Sequence, residues 1–131
     1  MQAPRMSKIV GIDLGTTHSA IAVVEAGMPG ILADAEGRRL LPSVVHFPAN
    51  CEPVVGVAAK RIQTVEPERT VSSAKRFMGR FENSLVKGEA ASPVEVSALI
   101  LKEIRSQAEA ALGESADRAV ITVPAYFNDA Q

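Results

Sequence analysis

Residues 9–20 read IVGIDLGTTHSA, and this stretch determines how the rest of the sequence is interpreted. It runs from apolar residues into one acid, Asp13, and then through the turn GTT at 15–17 into a second apolar run. Two apolar, β-branched runs separated by a short turn are typical of a β-hairpin. We therefore expect the chain to open with a hairpin whose turn carries an acid, a glycine and two hydroxyl groups.

The chemistry of this turn suits a phosphate group. Gly15 has no Cβ, so the backbone can approach a ligand closely, and successive N–H groups around it can form an anion-binding concavity. Thr16 and Thr17 add hydroxyl donors. Asp13, at the end of a buried strand, would find a partner in the Mg²⁺ that accompanies a nucleotide phosphate. The alternative is an ordinary hairpin turn capped by Asp13, and the spacing alone leaves both interpretations open.

Composition excludes several classes of protein. The 131 residues are 47% hydrophobic and 22% charged with a formal net charge of -1, which predicts a globular domain with neither a nucleic-acid partner nor a membrane partner. Neither G-x-x-x-x-G-K-[ST] nor G-x-G-x-x-G occurs in the sequence. The single cysteine, Cys51, cannot form an internal disulfide, so we expect a reducing, cytoplasmic location.

Beyond the hairpin, the sequence predicts short extended segments followed by helices. The expected order is punctuation at 28–30, a third strand at 31–33, a turn at 34–37, an extended segment at 40–47, a helical region at 57–79 broken at Pro67, and a connector at 80–91. The clearest helix runs from Pro93 to Leu112, because Ser92 and Glu95 form a capping box and Gly113 supplies a stop.

The last apolar run, AVITV at 119–123, is typical of a central parallel strand covered on both faces. Pro124 follows it, and Asn128 and Asp129 are good N-cap residues for a further helix. Because a domain boundary seldom falls at the first turn of a helix, we expect the chain to be a piece of a longer protein.

Four blocks of the sequence resemble one family in the same order. The segment GIDLGTTHSA is similar to the first phosphate loop of the DnaK-type, seventy-kilodalton heat-shock chaperones, and EGRRLLPSVVHF, SSAKRFMGR and VITVPAYFNDAQ resemble later blocks of that family. The resemblance covers residues 9–131 and implies an α/β fold, the ribonuclease-H-like lobe of an actin-like ATPase with a mixed sheet that begins with the hairpin. It implies a tail at 1–8, sheet parts at 9–47 and 119–127, and a shortened peripheral helical part at 55–112.

The resemblance also implies roles for individual residues and for ligands. Asp13 would face hydrated Mg²⁺ and K⁺, while Gly15, Thr16 and Thr17 would contact the β- and γ-phosphates of ATP or ADP. Lys75 would approach the γ-phosphate as the catalytic cation; without the family match it would be interpreted as an exposed helix charge. The residues implied to couple nucleotide state to the substrate domain are Pro124, Tyr126, Asn128 and Asp129.

The implied partners are unfolded client polypeptides, a J-domain co-chaperone and a nucleotide exchange factor. The connector at 80–91 is shorter than in most family members, which carry strands there that complete a small peripheral subdomain, so we expect the sheet formed by those strands to be lost. The second phosphate loop and the adenosine-binding segments are missing from these residues. We therefore expect the parent protein to be an ATPase, and the isolated chain to hydrolyse ATP negligibly and to self-associate.

Three alternatives remain open at this point. Sugar kinases and other actin-like ATP users share the fold, although the block VPAYFNDAQ favours the chaperones over them. A nucleotide-independent binding module derived from the same fold is a second alternative. Within the chaperones, LLPSVVHF looks closer to the HscA-like branch, which serves iron–sulfur cluster assembly, than to the general folding branch.

Overall fold

The structure is a computed structural model that describes residues 8–79, 83–123 and 127. Its strands are β1 (Ile9–Leu14), β2 (His18–Glu25), β3 (Met28–Ile31), β4 (Leu41–Pro42), β5 (Val44–His46), β6 (Val54–Val55), β7 (Thr70–Ser72) and β8 (Arg118–Thr122). Its helices are α1 (Val57–Ile62) and α2 (Pro93–Leu112), with two single 3₁₀ turns at Pro67–Arg69 and Ala74–Phe77. No helix within the described ranges is long and apolar enough to cross a membrane.

The main sheet is mixed and has the order β3-β2-β1-β8, with β4 paired to the start of β2. The predicted hairpin is confirmed, because β1 and β2 pair antiparallel. The parallel strand predicted at 119–123 is confirmed as well, since β8 lies parallel to β1 with Asp13 opposite Thr122. This register brings the end of β8 next to the loop that follows β1.

Two predictions about strands in the main sheet are wrong. The sequence predicts a break at 28–30 and a third strand at 31–33. The chain instead turns at Ala26 and Gly27, and Met28–Ile31 forms β3. Pro29 is tolerated because β3 is at the edge of the sheet, where one side of the strand needs no N–H donors. In the described part of the chain, β8 is not covered on both faces, since all five of its residues are exposed.

A second, three-stranded sheet with the order β6-β5-β7 lies in the peripheral part. The helical prediction for 71–78 fails here, because Val71 pairs with Val45 in β7 and only Ala74–Phe77 turns helically. The extended segment predicted at 40–47 is two strands in two sheets, separated at Ser43. The peripheral part is therefore not purely helical, although residues 83–91 of the connector form no strand.

Helix α2 has the predicted ends and joins the two sheets. The Ser92 Oγ accepts from the Glu95 N–H at 3.2 Å, and the Glu95 carboxylate accepts from the Ser92 N–H at 2.8 Å. Gly113 ends the helix with a φ of 69°. The buried face of α2 includes Val96 and Ile104, which lie in one apolar core with the inward side chains of β1.

The described part of the connector, 83–91, is packed against this core. Val86 is fully buried, and the Leu85 N–H donates to the Ala91 carbonyl at 2.8 Å. Arg69 holds the connector to the small sheet, because its guanidinium contacts Glu89 at 2.5 Å and donates to the Phe47 carbonyl at 2.6 Å.

Candidate functional site

The alternation of β1 determines where Asp13 lies. Val10, Ile12 and Leu14 are buried in the core, so Asp13 occupies the opposite, exposed face of the strand. The strand is thus buried on one face only, and the Asp13 side chain is exposed at its end. Asp13 stands where solvent and a bound ion can reach it.

Gly15 is required by the close approach of the two strands. A Cβ at this position would collide with the carbonyl oxygen of His18, and that backbone atom is fixed by the pairing of β2. The loop 15–17 is also bonded to the segment between β4 and β5. Ser43 donates its hydroxyl to the Gly15 carbonyl at 2.8 Å and its N–H to the Thr17 carbonyl at 2.9 Å.

Thr122 provides a hydrogen bond to the acid. Its hydroxyl donates to the Asp13 carboxylate at 2.9 Å across the parallel pairing of β1 and β8. Because a donor on one side of the carboxylate fixes its rotamer, Asp13 presents a defined oxygen position to an incoming ligand.

Lys75 brings a cation to the same place. Its side chain is buried, with 8% of the residue exposed. The ammonium donates to the Leu14 carbonyl and lies 3.4 Å from the Thr122 carbonyl, and the ring of Phe127 is 6.0 Å away. Burial lowers the pKa of Lys75, and the negative charge of Asp13 opposes this shift.

The structure thus brings five of the predicted site residues to one edge of the sheet. Lys75 and Asp13 flank the start of the loop, Thr16 is half-buried within it, and Thr17 is exposed. The other four predicted residues, Pro124, Tyr126, Asn128 and Asp129, lie outside the described residues.

The residues at this edge fit a magnesium-bound nucleotide phosphate. Gly15 has no Cβ because the His18 carbonyl occupies that space, and the turn it allows places the exposed Asp13, the Thr16 and Thr17 hydroxyls and Lys75 at one edge of the sheet. A lysine ammonium balances phosphate charge, and an exposed carboxylate suits Mg²⁺, which keeps most of its waters in proteins. Within the described ranges, no group of three or more His, Cys, Asp or Glu side chains could hold a metal ion.

Sequence reasoning missed three residues near the loop. Thr122 could have been found, because a parallel pairing of β1 with the AVITV run places its last polar residue beside Asp13. The hydroxyls of Ser19 and Ser43 had no such signal. They lie in different segments, and only the pairing of β4 with β2 brings them within 2.8 Å of each other.

Comparison with protein families assigns the chain. The model of the family described as Hsp70 protein matches residues 9–91 and 83–131. The two matches overlap at 83–91, within the connector, and together they include the loop 15–17, Lys75 and β8. The chain therefore belongs to the Hsp70 family of ATP-dependent chaperones and has the actin-like ATPase fold of that family.

Proposed function

We propose that residues 13–17 and Lys75 form the phosphate-binding half of the ATPase site through which an Hsp70 chaperone couples ATP hydrolysis to client binding. The observation that carries this proposal is the placement of Lys75. Its ammonium reaches the carbonyl of Leu14, at the start of the glycine turn, although 61 residues separate the two in sequence. An exposed helix charge, the alternative interpretation, would not be buried at the end of β1.

Each group has a distinct task in this proposal. The Thr16 and Thr17 hydroxyls and the N–H groups of the loop bind the β- and γ-phosphates. Asp13 orients a hydrated Mg²⁺, with K⁺ nearby, and the metal when bound neutralises phosphate charge and polarises the phosphoryl group. Lys75 stabilises the negative charge that develops on the transferring phosphoryl group and positions the attacking water.

Coupling to the rest of the chaperone is assigned to the segment after β8. The ring of Phe127 lies 6.0 Å from the Lys75 ammonium, which supports communication between that segment and the site. We assign the switch role to Pro124, Tyr126, Asn128 and Asp129, with client polypeptides, a J-domain co-chaperone and an exchange factor as partners. We also propose an HscA-like branch, from LLPSVVHF, and a cytoplasmic location.

The 131 residues supply one phosphate loop, so we propose that the isolated chain does not turn over ATP. The overlap of the two family matches at 83–91 supports a connector that is shorter than in the family model. The exposed side chains of Val120, Ile121 and Val123 give an apolar surface that favours self-association.

Calorimetric titration of Mg-ATP tests the proposal, applied to this chain and to one extended through the second lobe. We expect binding by the extended chain alone. In that chain, Lys75→Met should lower single-turnover hydrolysis by about 100-fold or more, because one stabilising charge is lost. Lys60→Met is the matched control, since Lys60 is exposed on α1, and it should leave the rate unchanged.

The possible outcomes separate the alternatives. Folded chains that bind no Mg-ATP in either form would favour a nucleotide-independent module. Binding with an unchanged rate in Lys75→Met would keep the loop as a nucleotide site and remove Lys75 from the chemistry. Phosphorylation of an added sugar by the extended chain would favour a sugar kinase.

A further inference from the structure

We propose that Ser43 is a positioning residue for the phosphate loop, acting through the backbone of Gly15 and not by contact with the nucleotide. The inference rests on the proposed function, because it takes residues 15–17 as the phosphate-binding loop. Ser43 lies between β4 and β5, and it is 3% exposed. A polar side chain this deeply buried must be hydrogen-bonded, and its partners identify its task.

The Ser43 hydroxyl accepts one hydrogen bond and donates another. A serine hydroxyl has a single hydrogen, and that of Ser43 is donated to the Gly15 carbonyl at 2.8 Å. The Ser19 Oγ lies 2.8 Å from the Ser43 Oγ. Because the hydrogen of Ser43 is already used, Ser19 must be the donor. The two hydroxyls form a relay from Ser19 through Ser43 to the loop carbonyl.

This relay orients the N–H groups of the loop. In a trans peptide the C=O and the N–H point in opposite directions. The bond from Ser43 to the Gly15 carbonyl therefore turns the N–H of Thr16 away from Ser43. Lys75 has the same effect one peptide earlier, because it donates to the Leu14 carbonyl. Side chains from distant parts of the chain thus fix the orientation of two consecutive peptide groups of the proposed phosphate loop.

Two serine variants separate positioning from simple stability. Ser43→Ala and Ser19→Ala each remove one buried hydroxyl of the same relay, but only Ser43→Ala releases the Gly15 carbonyl. In the extended chain, Ser43→Ala should weaken the affinity for Mg-ATP about fivefold, the equivalent of one buried hydrogen bond. Ser19→Ala should lower Tm as well but change the affinity less than about twofold, because the bond from Ser43 to the Gly15 carbonyl remains.

A ligand-free measurement keeps the test independent of nucleotide binding. Amide hydrogen exchange at Gly15 and Thr16 should be faster in Ser43→Ala than in Ser19→Ala. Equal affinity losses in the two variants, or equal exchange rates, would overturn the positioning role. If the extended chain without substitutions binds no Mg-ATP, the proposed function fails, while the exchange comparison still decides whether Ser43 orients the loop.

Discussion

The meander of β1, β2 and β3 contains two turns, and they are held by different means. The turn between β2 and β3 has positive φ at both central residues, 50° at Ala26 and 77° at Gly27, with open space around the glycine. This is the pattern of a two-residue hairpin turn set by its own residues. The loop 15–17 is instead bonded to Ser43 and adjoins the carbonyl held by Lys75. A turn that only reverses the chain needs local chemistry, whereas one shaped for a ligand is fixed by distant residues.

The largest expected effect comes from adding a methyl group to each turn. Gly15→Ala should lower the free energy of unfolding by about 2–4 kcal/mol, because the new Cβ meets the His18 backbone. Gly27→Ala should cost only about 1–2 kcal/mol, the penalty of a left-handed backbone at a non-glycine residue. Urea unfolding of both variants measures the difference, and equal losses would show that the first loop relaxes as easily as the plain turn.

A smaller effect is expected at the acid beside the ligand-binding loop. Thr122→Val removes the hydroxyl that donates to Asp13 while keeping the shape of the side chain. In the extended chain, we expect the Mg²⁺ concentration needed for half-maximal nucleotide binding to rise about three- to tenfold. Thr70→Val is the control, because it removes a similar hydrogen bond to the Glu66 carbonyl in the peripheral part. A similar shift in both variants would remove Thr122 from the site.

The smallest effect is a pH dependence of stability, since Asp13 opposes the effect of burial on Lys75. The pKa of Lys75 in the folded chain is below its ordinary value of 10.5. Below the lowered pKa the charged amine is present in both states, and the burial penalty is complete. Between the lowered pKa and 10.5 the unfolded chain binds more protons, so the free energy of unfolding rises with pH.

Urea unfolding from neutral pH upward, with Lys75→Met as the reference, measures this change. The free energy of unfolding of the unaltered chain, minus that of Lys75→Met, should rise with pH. The contributions of the other lysines cancel in this difference. A difference that stays constant would show that the backbone carbonyls fully compensate the ammonium for its lost hydration. In that case Lys75 would hold the loop without a cost in the ligand-free chain.

The parts of the fold that sequence predicts are those with local signals. The hairpin, the capping box of α2 and the parallel return strand each follow from neighbouring residues. Strand β7 was missed because its three residues precede a helical turn, and only pairing with Val44–His46 makes them extended. From the sequence, Pro29 predicts a break before a strand, because the sequence does not show that β3 is an edge strand that tolerates proline.

The same division holds at the candidate site. Asp13 and the glycine turn follow from one short stretch, and Lys75 required the family resemblance because an isolated lysine carries no pattern. Ser43 had neither signal. Its position depends on the break between β4 and β5, where the chain passes from one sheet to the other, and this is a property of the assembled fold.

The closure of the connector has a consequence for chain length. Within its described part, Leu85 and Ala91 are joined by a backbone hydrogen bond, and Val86 and Glu89 hold the segment to the core and to Arg69. Gly88, between these anchors, has a φ of 82° and open space around it. Residues inserted at Gly88 would form a loop whose two ends stay close together, because Leu85 and Ala91 remain bonded to each other. A long insertion or a deletion at this position can therefore be accommodated while β1, the loop 15–17 and Lys75 keep their places.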